Sequence, residues 1–171
     1  MRYIFFVLLL CVMSTAFTQP KYTVSNAHSH NDYEQKIAFW TAYNEGFGSI
    51  EADIFLDNDS LYIAHTTEEL KARRTLRQYY VEPLASMVKK NMGYVYSDSR
   101  KHLQLLIDLK TDSIKTLNAL INLLKQYPAL INTSSVQFVI QETDRIKPYL
   151  LLIHHSSGLM VSCTKIIQKK H

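Results

Sequence analysis

With 171 residues, 47% of them apolar and 20% charged, the chain has the composition of one globular domain, which excludes a disordered or fibrous protein. Its formal net charge of +4 comes from scattered basic residues. The densest basic stretch, Lys71 to Arg77, is short enough to be one solvated helix face and argues against nucleic acid as a partner.

Residues 1–20 read as a cleaved secretory signal. Arg2 supplies the positive start and Ile4 to Met13 the apolar stretch; Ser14-Thr15-Ala16 is a small-residue patch that places cleavage between Ala16 and Pro20. The apolar run is too short for a membrane span, and no transmembrane segment is expected after its removal. Cys11 has no small residue before it, against a lipid anchor. Cys163 is then the one cysteine of the mature chain, which excludes an internal disulfide. A secreted or periplasmic location is expected.

Tyr22 to His30 reads as a strand with Tyr22, Val24, Asn26, His28 and His30 on one face. Asn31-Asp32-Tyr33 closes it, and Asp32 is placed to cap a helix over Glu34 to Glu45 that Gly46 stops. Ser49 to Leu56 alternates as a second strand, Asp57 to Ser60 is a tight polar turn without EF-hand spacing, and Leu61 to His65 completes a hairpin. Thr67 to Leu70 and Leu76 to Lys90 read as helix, broken near Pro83. A strand over Leu103 to Lys110 leads to a helix over Ser113 to Gln126, capped by Asp112 or Ser113 and ended by Tyr127-Pro128. Val136 to Ile140 reads as a buried strand.

Strands alternating with helices predict an α/β fold, either a parallel sheet or a barrel. Residues 21–140 hold roughly four βα units, whereas a complete (β/α)₈ barrel needs ~250 residues. The chain is therefore expected to be an open sheet or half a barrel, and a half barrel would expose sheet edges and a large apolar face. From Gln141 the alternation decays, so residues 141–171 are expected to be an irregular tail with a basic end.

Glu51 and Asp53, two apart in a strand, project from one face roughly 6.6 Å apart. They repel unless a cation or a proton lies between them. His28-Ser29-His30-Asn31, Glu51-x-Asp53, His65 and Asp108-x-Lys110 all fall at or near the C-terminal ends of predicted strands, the edge where α/β active sites form. Each has a structural explanation alone: a satisfied strand-end histidine, an exposed acidic edge, a local ion pair. Their coincidence on consecutive strand ends argues for a site. Glu51, Asp53 and Asp108 suit a hard divalent cation, Mg²⁺ or Ca²⁺. Two histidines would serve as general base and general acid, and Lys110 would hold a phosphate oxygen. The chemistry fits phosphodiester cleavage, and no nucleophile elbow, zinc-type cysteine cluster or glycine-rich phosphate loop competes with it.

This pattern resembles the phospholipase C-like phosphodiesterases: glycerophosphodiester phosphodiesterases, phosphatidylinositol-specific phospholipases C and spider-venom-type sphingomyelinases D. On that resemblance His30 ends strand one, Glu51 and Asp53 of SIEADIFL lie on strand two, His65 of LYIAH is the second histidine and Asp108 of LIDLK the third acid. The DLKT of Asp108 to Thr111 looks like the sphingomyelinase D form, in which the lysine contacts phosphate. His30-Asn31 resembles the His-Asn of eukaryotic phospholipases C, in which the asparagine is a metal ligand; it replaces the His-Arg pair of the glycerophosphodiesterases. The HSHNDY opening resembles bacterial secreted members of the altered-inheritance-of-mitochondria-like group.

The resemblance covers residues 22–140 and implies a partial TIM (β/α) barrel of the phospholipase C type. It implies one Mg²⁺ or Ca²⁺ held by Glu51, Asp53, Asp108 and Asn31, with His30 and His65 catalytic and Lys110 and His28 binding substrate. The substrate would be a phosphodiester small molecule or a lipid head group, of glycerophosphodiester or phospholipid type. His28 stays an alternative to His30, and attack by water or by the substrate's own hydroxyl both stay open. Two other readings stand beside this one. His28-x-His30 also resembles the first metal pair of amidohydrolase and polymerase-histidinol-phosphatase-type barrels, although His102 is off the strand-end pattern and His154-His155 lies in the tail. The chain could also be an inactive, truncated barrel fragment. One back-translation of His154 to Met160, read two bases on, encodes the strand-like Ser-Phe-Ile-Arg-Phe-Asp-Gly, which makes a frameshifted or truncated gene the expected explanation of the short chain.

Overall fold

The computed structural model describes residues 21–142 in full and, over 149–155 and 159–165, the backbone of two strands. The expected signal segment 1–20 and the side chains of Cys163, His154 and His155 lie outside the described residues, as does the side-chain reading of the expected tail. Among the described residues no helix is long and apolar enough to cross a membrane.

The first expected strand is mostly absent. Thr23 N–H donates to Asn26 Oδ1 at 3.0 Å and folds Val24–Asn26 into a 3₁₀ turn, because short polar side chains here outcompete a sheet ladder. The turn crosses so close to Gly48 that a Cβ there would stand 2.0 Å from the Ser25 carbonyl. Strand β1 is His28–Ser29 alone.

The next helix is also shorter than expected: α1 is Trp40–Glu45. Asp32 does not cap its start. It sits in a 3₁₀ turn, Asp32–Glu34, and its buried carboxylate accepts from Ser29 Oγ (2.8 Å), Tyr80 OH (2.9 Å) and the Phe39 N–H. That last bond holds Phe39 at φ 65, outside helical space, so the helix begins only after it. Gly46, at φ 80, ends the helix as expected.

Strands β2 (Ser49–Asp57) and β3 (Ser60–Ile63) form the expected hairpin. Asn58 and Asp59, at φ 45 and 61, supply the left-handed pair that a two-residue hairpin loop requires. The break expected near Pro83 is a π-turn, Arg77–Val81, leading into α2, Glu82–Lys90. Glu82 N–H reaches back five residues to the Arg77 carbonyl, and Pro83 has no N–H to continue the ladder. Strand β4 is Leu103–Leu109 and α3 is Ser113–Leu124, capped by Asp112, which accepts from Lys115 N–H at 3.0 Å. Pro128 does not simply end α3 but starts a short helix, α4, Pro128–Asn132. Strand β5 runs over Val136–Glu142. Beyond it, where decay to an irregular tail is expected, the backbone forms β6 (Tyr149–His155) and β7 (Leu159–Lys165), an antiparallel hairpin that pairs with the free edge of β5.

The result among the described residues is a mixed α/β fold on one sheet, in the order β1-β2-β4-β5-β6-β7 with β3 beside β2. Strands β1, β2, β4 and β5 are mutually parallel. Their alternate residues sort onto two faces. Ile50, Ala52 and Ile54 line up with Leu105, Ile107, Phe138 and Ile140, all at most 3% exposed, and join Leu84, Val88, Leu120 and Leu124 of the helices in the core. The opposite face carries Glu51, Asp53, Gln104, Asp108, Gln137 and Gln141, with Leu106 and Val139 between them. The large apolar face expected of a half barrel is thus a mainly polar one, because the strands place their carboxylates and amides on it.

Tyr80 is fully buried, and its phenol titrates well above the ordinary tyrosine value, first because of burial and then because of the Asp32 charge it faces. A raised folded value means stability is fully present below pH ~10, where unfolded tyrosine titrates, and is lost as pH rises above it. Urea melts between neutral and strongly alkaline pH should show that loss. Tyr80→Phe should reduce its slope, while costing about 1.5–3 kcal/mol at neutral pH for the donor taken from buried Asp32. An alkaline slope unchanged by the substitution would contradict this account.

Candidate active site

The site lies on the polar face, beside the C-terminal end of β4 and the part of β2 that pairs with it. Parallel register sets Asp53 directly beside Asp108, with Glu51 one step back on β2. Glu51, Asp53 and Asp108 are 6%, 1% and 3% exposed, and one carboxylate oxygen of each lies within 4.8 Å of the others. Among the described residues the ammonium that reaches them is that of Lys110, whose Nζ donates to Asp108 Oδ2 at 2.6 Å and to Asp53 Oδ2 at 3.1 Å. Burial alone would lower the lysine's titration point. The hydrogen bonds to Asp108 and Asp53 and the attraction of their charges outweigh it, so the ammonium is held above its ordinary value. Lys110 is placed by its backbone, which donates to the Ile54 carbonyl, and by Thr111, whose hydroxyl accepts from Leu56 N–H.

Both expected histidine positions reach these carboxylates. The β2–β3 hairpin returns the chain beside Asp53, where Ala64 N–H bonds the Asp53 carbonyl, and the next residue, His65, sets Nδ1 2.8 Å from Asp53 Oδ2. A carboxylate only accepts, so Nδ1 carries the hydrogen, and Nε2 is the lone pair of a ring whose side chain is half exposed. His28 is tied at both ring nitrogens: Nε2 donates to Glu51 Oε2 at 2.8 Å, and Nδ1 is 2.8 Å from Ser49 Oγ. Ser49 Oγ in turn accepts from Gln104 Nε2 at 3.2 Å. His30 stands farther out, its Nε2 4.0 Å from Glu51 Oε2 and its side chain 73% exposed. Asn31 follows it in the left-handed conformation, φ 45, at the entry to the Asp32 turn.

Three contributors were not expected from the sequence. Tyr33, 3% exposed, donates its hydroxyl to Asp53 Oδ2 at 3.0 Å. Burial, and then the Asp53 charge, raise its titration point, so it stays a donor. Tyr33 lies in a loop without periodic pattern; the usable signal was its place just after the strand-end His-Asn pair. Glu69 and Arg74 were missed for the same reason. Glu69 Oε2 accepts His65 N–H at 3.0 Å, and Arg74 Nη1 donates to the Tyr33 carbonyl at 3.1 Å.

Chemically, the site offers a compact oxygen cluster with the Lys110 ammonium beside it and the imidazoles of His28, His30 and His65 at 2.8–4.0 Å from its carboxylates. Residues 17–129 match the AIM6-like phosphodiesterase domain. The chain is 40% identical over 106 residues to an altered inheritance of mitochondria protein 6 homolog of Arthroderma benhamiae, a match covering 52% of this chain and 34% of that protein. It is 31% identical over 121 residues to altered inheritance of mitochondria protein 6 of Kluyveromyces lactis, covering 56% and 29%, and 36% identical over 114 residues to that of Lachancea thermotolerans, covering 58% and 27%. The chain therefore spans about a third or less of the length of these curated relatives, which are fungal. No solved structure gives a match. Since the matched stretch covers most of the chain and every site residue from His28 to Lys110, the chain belongs to the AIM6-like phosphodiesterase domain family.

Proposed function

We propose that the chain carries the catalytic centre of a secreted, divalent-cation-dependent phosphoric diester hydrolase of the wider phospholipase C-like type. The observation that carries this reading is the convergence of Glu51, Asp53 and Asp108 within 4.8 Å, flanked by histidines. The donor set suits a cation in two respects. Oxygen ligands at ~2.1–2.5 Å from one ion lie at most ~4–5 Å apart, as these do. In addition, buried Asp53 Oδ1 has no hydrogen-bond partner among the described residues, a state that a cation would relieve. Hard oxygen donors favour Mg²⁺ or Ca²⁺, with Asn31 as a further ligand. The consecutive parallel order β1-β2-β4-β5 over one helical layer supports a partial TIM barrel, since a doubly wound sheet reverses its order and takes helices on both faces.

When bound, the cation neutralises phosphate charge and acidifies the attacking hydroxyl. The chain's own groups do the rest. His65, oriented by Asp53, takes a proton at Nε2 or gives one there; His30 does the opposite on the far side of the phosphorus. One P–O bond forms to water or to the substrate's own hydroxyl, and the bond to the leaving oxygen breaks as that oxygen receives its proton. The two nucleophiles give an open and a cyclic phosphate, respectively. Lys110 offers its ammonium to a phosphate oxygen. His28, with both nitrogens engaged, fixes Glu51 and acts on substrate through it. The same engagement argues against a His28–His30 metal pair of the amidohydrolase kind. The substrate class is a glycerophosphodiester or a phospholipid head group.

Asp53→Ala should abolish Mg²⁺- or Ca²⁺-dependent hydrolysis of a chromogenic phosphodiester, and His65→Asn should lower kcat by about 10²–10⁴-fold with KM little changed. Retained cation-dependent turnover in Asp53→Ala, or no turnover by the purified parent chain, would sink the proposal. Lys110→Met leaves two buried carboxylates without their ammonium and should destabilise the cation-free chain by about 3 kcal/mol, the low end of the range for a broken buried pair because Lys110 is 14% exposed. Thermal melts of parent and variant at neutral pH measure that loss. Equal stability at neutral pH would show that Lys110 does not compensate the cluster.

A further inference from the structure

The two oxygens of Asp53 are treated unequally by the protein. Oδ2 is within hydrogen-bond reach of three donors, Tyr33 OH at 3.0 Å, His65 Nδ1 at 2.8 Å and Lys110 Nζ at 3.1 Å. Oδ1 is buried and has no donor among the described residues. A carboxylate oxygen has about two lone-pair directions, so Oδ2 is saturated and Oδ1 is the oxygen left to bind.

Of the three donors, Tyr33 alone has no place in the chemistry proposed above, and it is the least exposed. Its ring is buried, and Arg74 Nη1 holds its carbonyl at 3.1 Å while the guanidinium lies 5.6 Å from the ring centroid. Arg74 Nη2 pairs with Glu69 Oε2 at 3.6 Å, and that oxygen also accepts the His65 N–H. The Glu69–Arg74 pair therefore anchors the backbones of both Tyr33 and His65, the loop-borne donors that meet at Asp53 Oδ2.

We infer that Tyr33 is a positioning residue of the cation site: its hydroxyl pins Asp53 Oδ2 and thereby commits Oδ1 to the divalent cation. The inference rests on reading Glu51, Asp53 and Asp108 as that site. Outer partners of this kind orient a ligand and typically change metal affinity by about 10–100-fold. Tyr33 also explains why the turn after β1 is built around buried Asp32: the bonds from Ser29, Phe39 and Tyr80 fix the loop that delivers the phenol.

Calorimetric titration of the full chain with Mg²⁺, and separately with Ca²⁺, tests this. Tyr33→Phe keeps the buried ring and removes one oxygen. Its Kd for the cation should rise about 10–100-fold, while it still melts cooperatively without cation, with a modest loss of stability for the missing hydrogen bond. Asp53→Asn, titrated alongside, should bind neither ion. If Asp53→Asn binds like the parent, or the parent binds neither ion, the cation site itself is wrong and the role of Tyr33 falls with it. If Asp53→Asn loses binding and Tyr33→Phe matches the parent, the site stands and the role of Tyr33 is overturned. Loss of cooperative melting in cation-free Tyr33→Phe also overturns it, since the phenol then serves the fold.

Discussion

The parallel register that sets Asp53 on β2 beside Asp108 on β4 is the constraint on which the rest depends. Both strands turn their aliphatic residues toward the helices, so the alternate positions, Glu51, Asp53 and Asp108, are driven to the same opposite face. Three carboxylates buried together are unstable unless positive charge and donors reach them. The donors come from three segments: Lys110 from the end of β4, His65 from the hairpin, Tyr33 and His28 from the β1 region. The local irregularities serve that convergence. The Asn58-Asp59 turn brings His65 back beside Asp53, and the Asp32 cluster holds the loop that carries His30, Asn31 and Tyr33.

The parts of this arrangement governed by short-range pattern were legible in the sequence. Strands β2, β4 and β5, the hairpin and helix α3 were readable because period-two and period-3.6 apolar spacing marks them directly, and Asp112 announces its helix. The meeting of Glu51, Asp53 and Asp108 followed from strand spacing combined with the strand-end rule. The failures share a physical cause. Tyr22 to His30 alternates like a strand, yet the Thr23–Asn26 bond curls it into a turn. Glu34 to Glu45 has helical spacing, yet Asp32 takes the Phe39 N–H and delays the helix. In both cases a polar side chain captured a backbone N–H, which apolar periodicity does not register. Tyr33, Glu69 and Arg74 were missed because loop residues acquire partners only through the tertiary fold.

The matched stretch ends before β5, and the residues that define the site lie within it. The strands that follow extend the sheet in the antiparallel sense, away from the carboxylates. The site is thus assembled by β1, β2, β4 and the loops between them. Among the described residues, the Lys110 ammonium and the carboxylate-bound imidazoles of His28 and His65 set its local electrostatics.

The claim that this cluster is a cation site is tested most directly by anomalous diffraction from crystals of the full chain grown with Mn²⁺ as a probe for Mg²⁺. The account predicts one strong peak at ~2.0–2.3 Å from oxygens of Glu51, Asp53 and Asp108, with Asp53 contributing Oδ1. A peak on the His28 and His30 rings instead, or an acidic cluster that takes up no ion and keeps Lys110 as its sole cation, would contradict it.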